Sequence, residues 1–188
     1  MKSVTKAFFI AAVTTSTAIA QQETNPPPAE SQSPDLQLED PLEEDRIQFL
    51  LDVAAAYLAE NDPSSAITAY ERILEIDPMN VEARGRCSTV YIGAKQYAKA
   101  EKVLTDLIEE RPNDFQIKNN LAWLYATAED PAFRDGQKAV ELAQKAMVIA
   151  PNVHNVWSTL AEAYYSTGDY EKANRAINYM VGVRSEEH

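Results

Sequence analysis

The chain has 188 residues, 29 of them acidic and 17 basic, and its formal net charge is −12. Phosphate binding needs clustered Lys and Arg, so this charge argues against a nucleic-acid partner and against an anionic membrane surface. The single cysteine, Cys87, excludes an intramolecular disulfide, and packed helices must therefore supply the stability.

The first 20 residues have the three-part layout of a secretory signal peptide. Lys2 and Lys6 form a basic start, residues 7–20 are apolar or small, and the run ends in an A-x-A pattern at Ala20. At ~1.5 Å per residue this run is too short to span ~30 Å of hydrocarbon, so an uncleaved membrane anchor is the less favoured alternative. We expect cleavage after Ala20, export to the periplasm or the extracellular space, and no membrane insertion afterwards.

Residues 21–46 differ in composition from the rest of the chain. They carry five prolines, eight acidic residues and no aromatic side chain. Such a segment buries too little apolar surface to offset the entropy that it would lose on ordering. We therefore predict a disordered, acidic, proline-rich linker over 21–46.

From Ile47 onward, apolar residues recur at the three- and four-residue steps of amphipathic helices. Pro78, Pro112 and Pro151 close three similar segments, separated by 34 and then by 39 residues. A period near 34 with two helices in each unit predicts a stacked helical repeat. The predicted units are 47–80, 81–114, 115–153 and 154–184, and a polar tail follows at 185–188.

Tyrosine and alanine return at the same places in every unit. The tyrosines are expected to fill the space between helices, and the alanines to let helices approach closely. The tyrosines are Tyr57, Tyr91, Tyr125 and Tyr164, and the alanines of the second helices are Ala66, Ala100, Ala139 and Ala173. Each unit leaves apolar surface that only a neighbouring unit can cover.

The fullest copy of the pattern is the fourth, with Trp157, Leu160, Ala161, Tyr164, Gly168, Tyr170 and Ala173. This pattern resembles the tetratricopeptide repeat, of an exported bacterial type. The second unit departs from the family pattern, because Cys87 and Ser88 replace its Leu-Gly/Ala pair. The resemblance implies an all-α fold over 47–184, a right-handed superhelical solenoid of about four helix-turn-helix repeats.

The third unit has five extra residues between its helices, within 128–137. The turn signals Asp130-Pro131 and Asp135-Gly136 predict a loop for this insertion. Arg134 is expected to pair with Asp130 or Glu129, and a binding role for the protruding loop is the alternative.

No combination of residues in the chain predicts catalysis. His154 and His188 are the only histidines, and neither has the spacing of a zinc site or a triad. Cys87 falls in a small apolar slot of the repeat, which favours buried packing over a reactive thiol. We therefore predict no catalytic residue, no metal and no cofactor, and we disfavour the alternative of a small enzyme.

The family resemblance implies that the first helices of successive repeats line a concave groove for a partner protein or peptide. The residues placed there by register are Leu51, Ala55, Leu58, Thr89, Ile92, Gln116, Asn119, Trp123, Asn155, Ser158, Glu162 and Tyr165. Because this set has no Lys or Arg, a clamp for a peptide carboxylate is not expected. Trp123 is the foremost candidate anchor, and packing of its side chain in the core is the alternative.

These observations predict a non-catalytic scaffold or adaptor that binds an unknown protein or peptide in an envelope or secretion assembly. The alternative is a structural homo-oligomer without a peptide ligand. It follows from the last helix, where Tyr179, Met180 and Val183 have no later repeat to cover them, so that two chains would stack through terminal helices.

Overall fold

The computed structural model describes the chain from Pro41 to Glu186, and its side chains from Leu42 to Val181. The predicted signal peptide and residues 21–40 of the predicted linker lie outside the described residues, as does the end of the tail. The described part forms helices and no strand: α1 (Pro41–Ala59), α2 (Pro63–Ile76), α3 (Val81–Gly93), α4 (Tyr97–Glu110), α5 (Phe115–Thr127), a 3-10 helix (Pro131–Phe133), α6 (Gly136–Ile149), α7 (His154–Ser166) and α8 (Tyr170–Glu186). The predicted all-α helical repeat fold is confirmed.

The first helix begins at Pro41, six residues before the predicted start of the folded domain at Ile47. Proline is favoured in the first turn of a helix, and Glu43 and Glu44 there interact well with the positive end of the helix dipole. Residues 42–46 are all exposed. Because this turn buries no apolar side chain, the sequence has no helical spacing of apolar residues there. The predicted linker is therefore wrong for 41–46. At the other end, α8 continues to Glu186, two residues into the predicted tail.

Helix starts are set by short polar side chains that satisfy free backbone N–H groups. Asp62 Oδ1 accepts a hydrogen bond from Ser65 N–H at 3.1 Å, and Asn80 Oδ1 accepts one from Ala83 N–H at 2.9 Å. Asp114 and Asp135 cap α5 and α6 in the same way. Within the described residues, none of these helices combines the length and the apolarity that crossing a bilayer requires.

A tight turn joins the two helices of the first, second and fourth repeats. Its central residue has positive φ, at 58° for Asn61, 59° for Lys95 and 80° for Gly168. These three positions are equivalent in the repeat, and Asn and Gly tolerate this left-handed conformation best. The turn brings the next backbone N–H onto the carbonyl of the repeat tyrosine, as in the 2.8 Å bond from Asp62 N–H to Tyr57 O.

The insertion in the third repeat replaces that turn without changing how it closes. Asp135 N–H donates to Tyr125 O at 3.0 Å, which is the equivalent bond. Between these residues, the chain forms the 3-10 helix, and Phe133 packs on Tyr97 with ring centroids 5.7 Å apart. The expected pairing of Arg134 is wrong, because among the described residues it makes no ion pair with either acid. Glu129 pairs with Lys95 at 2.7 Å, and Asp130 Oδ1 accepts from Ala132 N–H at 2.9 Å.

Neighbouring repeats are joined through their tyrosines. Tyr91 Oη on α3 donates to Glu71 Oε1 on α2 at 2.9 Å, and Tyr125 Oη on α5 donates to Glu101 Oε1 on α4 at 2.9 Å. Tyr164 Oη on α7 accepts from Gln144 Nε2 on α6 at 2.9 Å. Lysines of the second helices lie over the three rings, at 5.0 to 5.5 Å from the centroids: Lys99, Lys138 and Lys172.

Small and large apolar residues alternate in the core as the repeat pattern requires. The alanines of the second helices Ala66, Ala100 and Ala139 are completely buried, and Ala173 is 5% exposed. Leu104 and Leu107 of α4 are also completely buried, between their own first helix and the following repeat. Burial of such side chains supplies most of the stability of the stack.

One position of the first helices carries a long side chain with a polar end, which ties down the end of a second helix. Arg84 is 8% exposed and makes two bonds to Glu110, at 2.7 and 2.8 Å. At the equivalent positions, Lys118 Nζ donates to Pro112 O, and Trp157 Nε1 donates to Pro151 O at 2.6 Å. The carbonyl oxygens of two repeat-closing prolines are thereby satisfied.

The ion pair predicts an acid-sensitive contribution to stability. The hydrogen bonds from Arg84 hold the pKa of Glu110 below its usual range. The stabilisation is therefore present above the unfolded-state pKa of Glu, about 4.3, and is lost as pH falls through the lowered pKa. We expect Glu110→Gln to lower Tm at neutral pH, and this difference from the wild type to vanish in acid.

Thermal melts followed by circular dichroism across this pH range measure the effect. Glu109→Gln is the matched control, because Glu109 is an exposed neighbour on the same helix and should leave Tm unchanged. An equal effect of both substitutions at neutral pH would mean that general charge, not the pairing with Arg84, sets the difference.

Candidate binding groove

A groove of about 600 Å³ runs across the first helices of the second, third and fourth repeats. Its walls come from α3, α5 and α7, together with the loops that precede α5 and α7. The lining residues are Val81, Glu82, Gly85, Arg86, Thr89, Arg111, Asp114, Phe115, Gln116, Ile117, Asn119, Asn120, Val153, Asn155 and Val156. A groove of this volume lies in the range of sites that bind small molecules or a few residues of a peptide.

The groove sits at the N-terminal ends of the three helices because the repeats stack in register. Asn80 and Asp114 begin α3 and α5 by accepting backbone hydrogen bonds, and α5 packs directly on α7. Ile117 and Val156 point from these turns into the core, at 5% and 0% exposure, and so fix the floor of the groove. The exposed polar residues between them form its surface.

The structure corrects the expectation that the groove has no basic residue. Arg86 and Arg111 both line it, and the acids Glu82 and Asp114 lie beside them. Arg86 Nε pairs with Glu82 Oε1 at 2.9 Å, one helical turn away. Two guanidinium groups are therefore balanced by two carboxylates, and the lining has no net charge.

Asn119 carries an acceptor without a partner. Its Oδ1 is inaccessible to solvent and accepts no hydrogen bond from the described residues. An unsatisfied buried acceptor costs about 1–3 kcal/mol. Rotation about χ2 exchanges Oδ1 with Nδ2, so the side chain can turn this oxygen towards a donor in the groove.

A neighbouring amide is already engaged across the repeats. Asn120 Nδ2 on α5 donates to Thr89 Oγ1 on α3 at 3.3 Å. Thr89 Oγ1 in turn donates to Gly85 O at 3.3 Å. These bonds connect the α3 wall of the groove to the α5 wall. They also engage the hydroxyl of Thr89, which is the only hydroxyl group among the lining residues.

The predicted groove residues fall into two groups. Thr89, Gln116, Asn119 and Asn155 come together in the groove. The other eight lie outside it, although each is at least partly exposed: Leu51, Ala55, Leu58, Ile92, Trp123, Ser158, Glu162 and Tyr165. Those on α1 lie beyond the groove because its walls start at α3.

Trp123 is a surface residue, and the alternative of a core position is wrong. Its side chain is 39% exposed, and it occupies the repeat position that Thr89 holds in the groove and Glu162 holds on α7. Tyr165, at 60% exposure, contacts Tyr170 edge-on at 5.3 Å, at the turn between α7 and α8. Neither aromatic therefore lines the groove.

Several lining residues were missed by counting along the first helices. Arg111, Asp114, Phe115 and Val153 belong to helix ends and connecting loops, and Arg86 lies one turn from Glu82 on α3. The repeat-closing prolines Pro112 and Pro151 could have indicated the loop residues, because they mark where each connection reaches the next first helix.

The insertion forms a second cavity, of about 630 Å³, on another part of the surface. It lies between the 3-10 helix and the start of α4, with Lys95, Tyr97, Glu129 and Phe133 in its wall. Glu129 N–H donates to Tyr97 Oη at 3.2 Å, so the insertion is anchored to the preceding repeat.

Comparison with known proteins identifies the repeats. A model of the tetratricopeptide repeat matches residues 57–124, just over a third of the chain. Together with the four stacked helical hairpins, this match shows that residues 57–124 carry tetratricopeptide repeats. The tetratricopeptide repeat fold is that of protein–protein interaction scaffolds.

Two sequence relatives match this chain over part of their larger sequences. Superkiller protein 3 of Schizosaccharomyces pombe is 26% identical over 120 residues, which are 63% of this chain and 9% of that protein. ER membrane protein complex subunit 2 of Xenopus tropicalis is 28% identical over 115 residues, which are 61% of this chain and 37% of that protein. The chain thus spans well under half the length of the curated relatives it matches.

Solved structures support the fold of this tetratricopeptide repeat protein. MamA of Desulfovibrio magneticus RS-1 superposes with a TM-score of 0.62 at 22% identity, over 76% of this chain and 78% of that one. A thermophilic TPR protein of Thermus thermophilus superposes with a TM-score of 0.65 at 18% identity, over 74% and 75%. At these identities, the likeness concerns the fold alone.

The chemistry available in the repeats is limited in the described residues. They contain no group of three or more His, Cys, Asp and Glu that could hold a metal ion. Cys87, on α3, is 1% exposed, and burial raises the pKa of its thiol to about 11. A thiol in this state is almost entirely protonated at neutral pH.

Cys87 should therefore be unreactive in the native protein. We expect its labelling by Ellman's reagent at pH 8 to be at least tenfold slower in buffer than in denaturant, since the thiolate is the reactive species. Absorbance of the released thiolate measures both rates. Equal rates would mean that Cys87 is exposed and would contradict its placement in the core.

Proposed function

We propose that this protein is an exported, non-catalytic adaptor that binds a peptide, or an extended segment of a partner protein, in the groove between α3, α5 and α7. We place it in an assembly of the cell envelope or of secretion. The single observation that carries the peptide proposal is the unpartnered acceptor of Asn119 beside apolar and polar groups in that groove.

An extended peptide suits this chemistry because its backbone supplies regularly spaced N–H donors. One such donor, reaching Asn119 Oδ1 after rotation of the amide, would satisfy the acceptor that is unpaired in the free protein. Val81, Phe115 and Val153 offer apolar contact to side chains of the peptide. Apolar contacts ringed by polar groups are the common arrangement of protein-binding sites.

The charges of the groove favour a peptide without a strong net charge. Arg86 and Arg111 are balanced by Glu82 and Asp114, so neither a free carboxylate nor a basic side chain is preferred overall. The chain as a whole carries −12, which favours a partner with a basic surface outside the groove.

The groove lacks the parts of a catalytic site, which supports a binding role. Thr89 provides the only hydroxyl of the lining, and no His or Cys lies beside it to act as a base or nucleophile. Its oxygen is held by Asn120 and Gly85 rather than by a general base.

The groove proposal can be tested in living cells by photo-crosslinking. The full chain would carry p-benzoylphenylalanine at Gln116, an exposed groove residue, or at Val148, which lies on the opposite helix layer. We expect a crosslinked partner at Gln116 and none at Val148, identified by mass spectrometry. Equal crosslinking at both positions would place the contact outside the groove.

Asn119→Leu refines this test because binding and stability should change in opposite directions. The substitution removes the unpaired acceptor, so Tm should stay the same or rise. Losing one hydrogen bond to the peptide should weaken binding by about tenfold and reduce the Gln116 adduct accordingly. A lower Tm together with the lost adduct would instead indicate a folding defect.

Export rests on the sequence of residues 1–20 and has its own test. We expect the protein, expressed in its own cell, to be recovered outside the cytoplasm with Gln21 as its first residue. Intact-mass spectrometry and N-terminal sequencing of each cell fraction measure this. Lys2→Glu with Lys6→Glu should cause accumulation of the uncleaved chain, since the basic start is needed for targeting. A native protein retaining residue 1 in the cytoplasm would contradict export.

A further inference from the structure

The two ends of the stack expose positions that are buried at every internal boundary. Phe49 on α1 is 66% exposed, whereas Ala83, Ile117 and Val156 at the equivalent positions are 0–5% exposed. Ala56 is likewise exposed, whereas its equivalents on α3, α5 and α7 are at most 8% exposed. Within the described residues, no preceding repeat covers the N-terminal face, which is defined by Phe49, Val53, Ala56 and Tyr57.

The last helix likewise exposes positions that are buried in the other second helices. Ile177 on α8 is 43% exposed, whereas Tyr70, Leu104 and Ala143 at the equivalent positions are 0–1% exposed. Val181 is 60% exposed, whereas its equivalents Leu74, Ile108 and Met147 are half-buried and packed against the core. Within the described residues, no repeat packs on the C-terminal face, which is defined by Ile177, Asn178 and Val181.

We propose that these faces are the two halves of one interface, so that the N-terminal face of one chain packs on the C-terminal face of a second copy. The protein would thereby assemble head to tail. The internal contacts of α2 with α3, α4 with α5, and α6 with α7 are three examples of the same interface within one chain. The proposal goes beyond the groove, since none of the residues of either face lines it.

A hydrogen bond between neighbouring repeats supports this pairing, because both of its positions recur at the ends of the stack. Tyr164 Oη accepts from Gln144 Nε2 across the last internal boundary. Asn178 is the equivalent of Gln144 one repeat later, and Tyr57 is the equivalent of Tyr164 at the start of the chain. Head-to-tail packing therefore places an exposed amide donor opposite a tyrosine hydroxyl, as within the chain.

The charges of the terminal helices are complementary. The α1 sequence has four carboxylates and one arginine, whereas the α8 sequence has two carboxylates and three basic residues. Attraction between them favours contact of α1 with α8 over contact of two α1 helices. Because the two faces differ, the contact is heterologous, and the assembly can grow beyond a dimer.

Sedimentation velocity of the full chain, as purified, over about two decades of concentration tests the proposal. We expect the wild type to associate as concentration rises. Phe49→Glu and Ile177→Glu should each weaken self-association by at least about tenfold, because a charge then enters an apolar contact. Phe49 is 66% and Ile177 43% exposed in the single chain, so circular dichroism should show unchanged folding.

Mixing the two variants tests whether the contact is head to tail. Each variant keeps one intact face, so the mixture should form a one-to-one heterodimer at concentrations where neither variant associates alone. Val148→Glu is the matched control, because Val148 is 74% exposed and the equivalent positions hold Glu75 and Glu109. It should associate as the wild type does.

Three results would overturn the proposal. A wild type that stays monomeric at all concentrations would do so, and association after deletion of residues 1–40 would then identify that segment as the cover of the N-terminal face. Loss of association in Ile177→Glu alone would indicate a symmetric contact of two C-terminal faces. A mixture that remains monomeric would exclude the head-to-tail pairing.

Discussion

The structure depends on one constraint, which is that a pair of helices cannot bury its own apolar surface. Each repeat exposes one stripe towards the preceding repeat and another towards the following one, and the core exists only where both are covered. Ala83 is completely buried because α2 lies against α3, whereas Phe49 at the equivalent position of α1 is 66% exposed. Stability in such a stack is a sum over neighbours rather than a property of one closed core.

The same stacking creates the groove. Because the first helices lie side by side, their first turns form a continuous surface of polar and apolar side chains over a buried floor of Ile117 and Val156. Only the boundaries between repeats bring Thr89 of one helix within reach of Asn120 of the next. A binding surface of this kind needs no residue outside the repeat register, except where the connecting loops add their own.

Much of the fold was predictable, since the period of the prolines and the returning tyrosines follow from how repeats pack. The groove was only partly predictable. Counting along the first helices named Gln116 and Asn155, which line the cavity, but did not name Arg111, which enters from the end of a second helix. The start of α1 at Pro41 was also missed, because its first turn is held by backbone and charge effects and buries no apolar residue.

The third repeat shows that the connection between paired helices can be longer while the bond that closes it stays the same. Its five extra residues leave and rejoin the helical pair at the same place, where Asp135 N–H bonds to Tyr125 O as Asp62 N–H does to Tyr57 O. The turn between paired helices can thus hold added chain while the hydrogen bond that closes it is kept. New surface can be acquired there, one insertion at a time, without replacing the residues that pair the two helices.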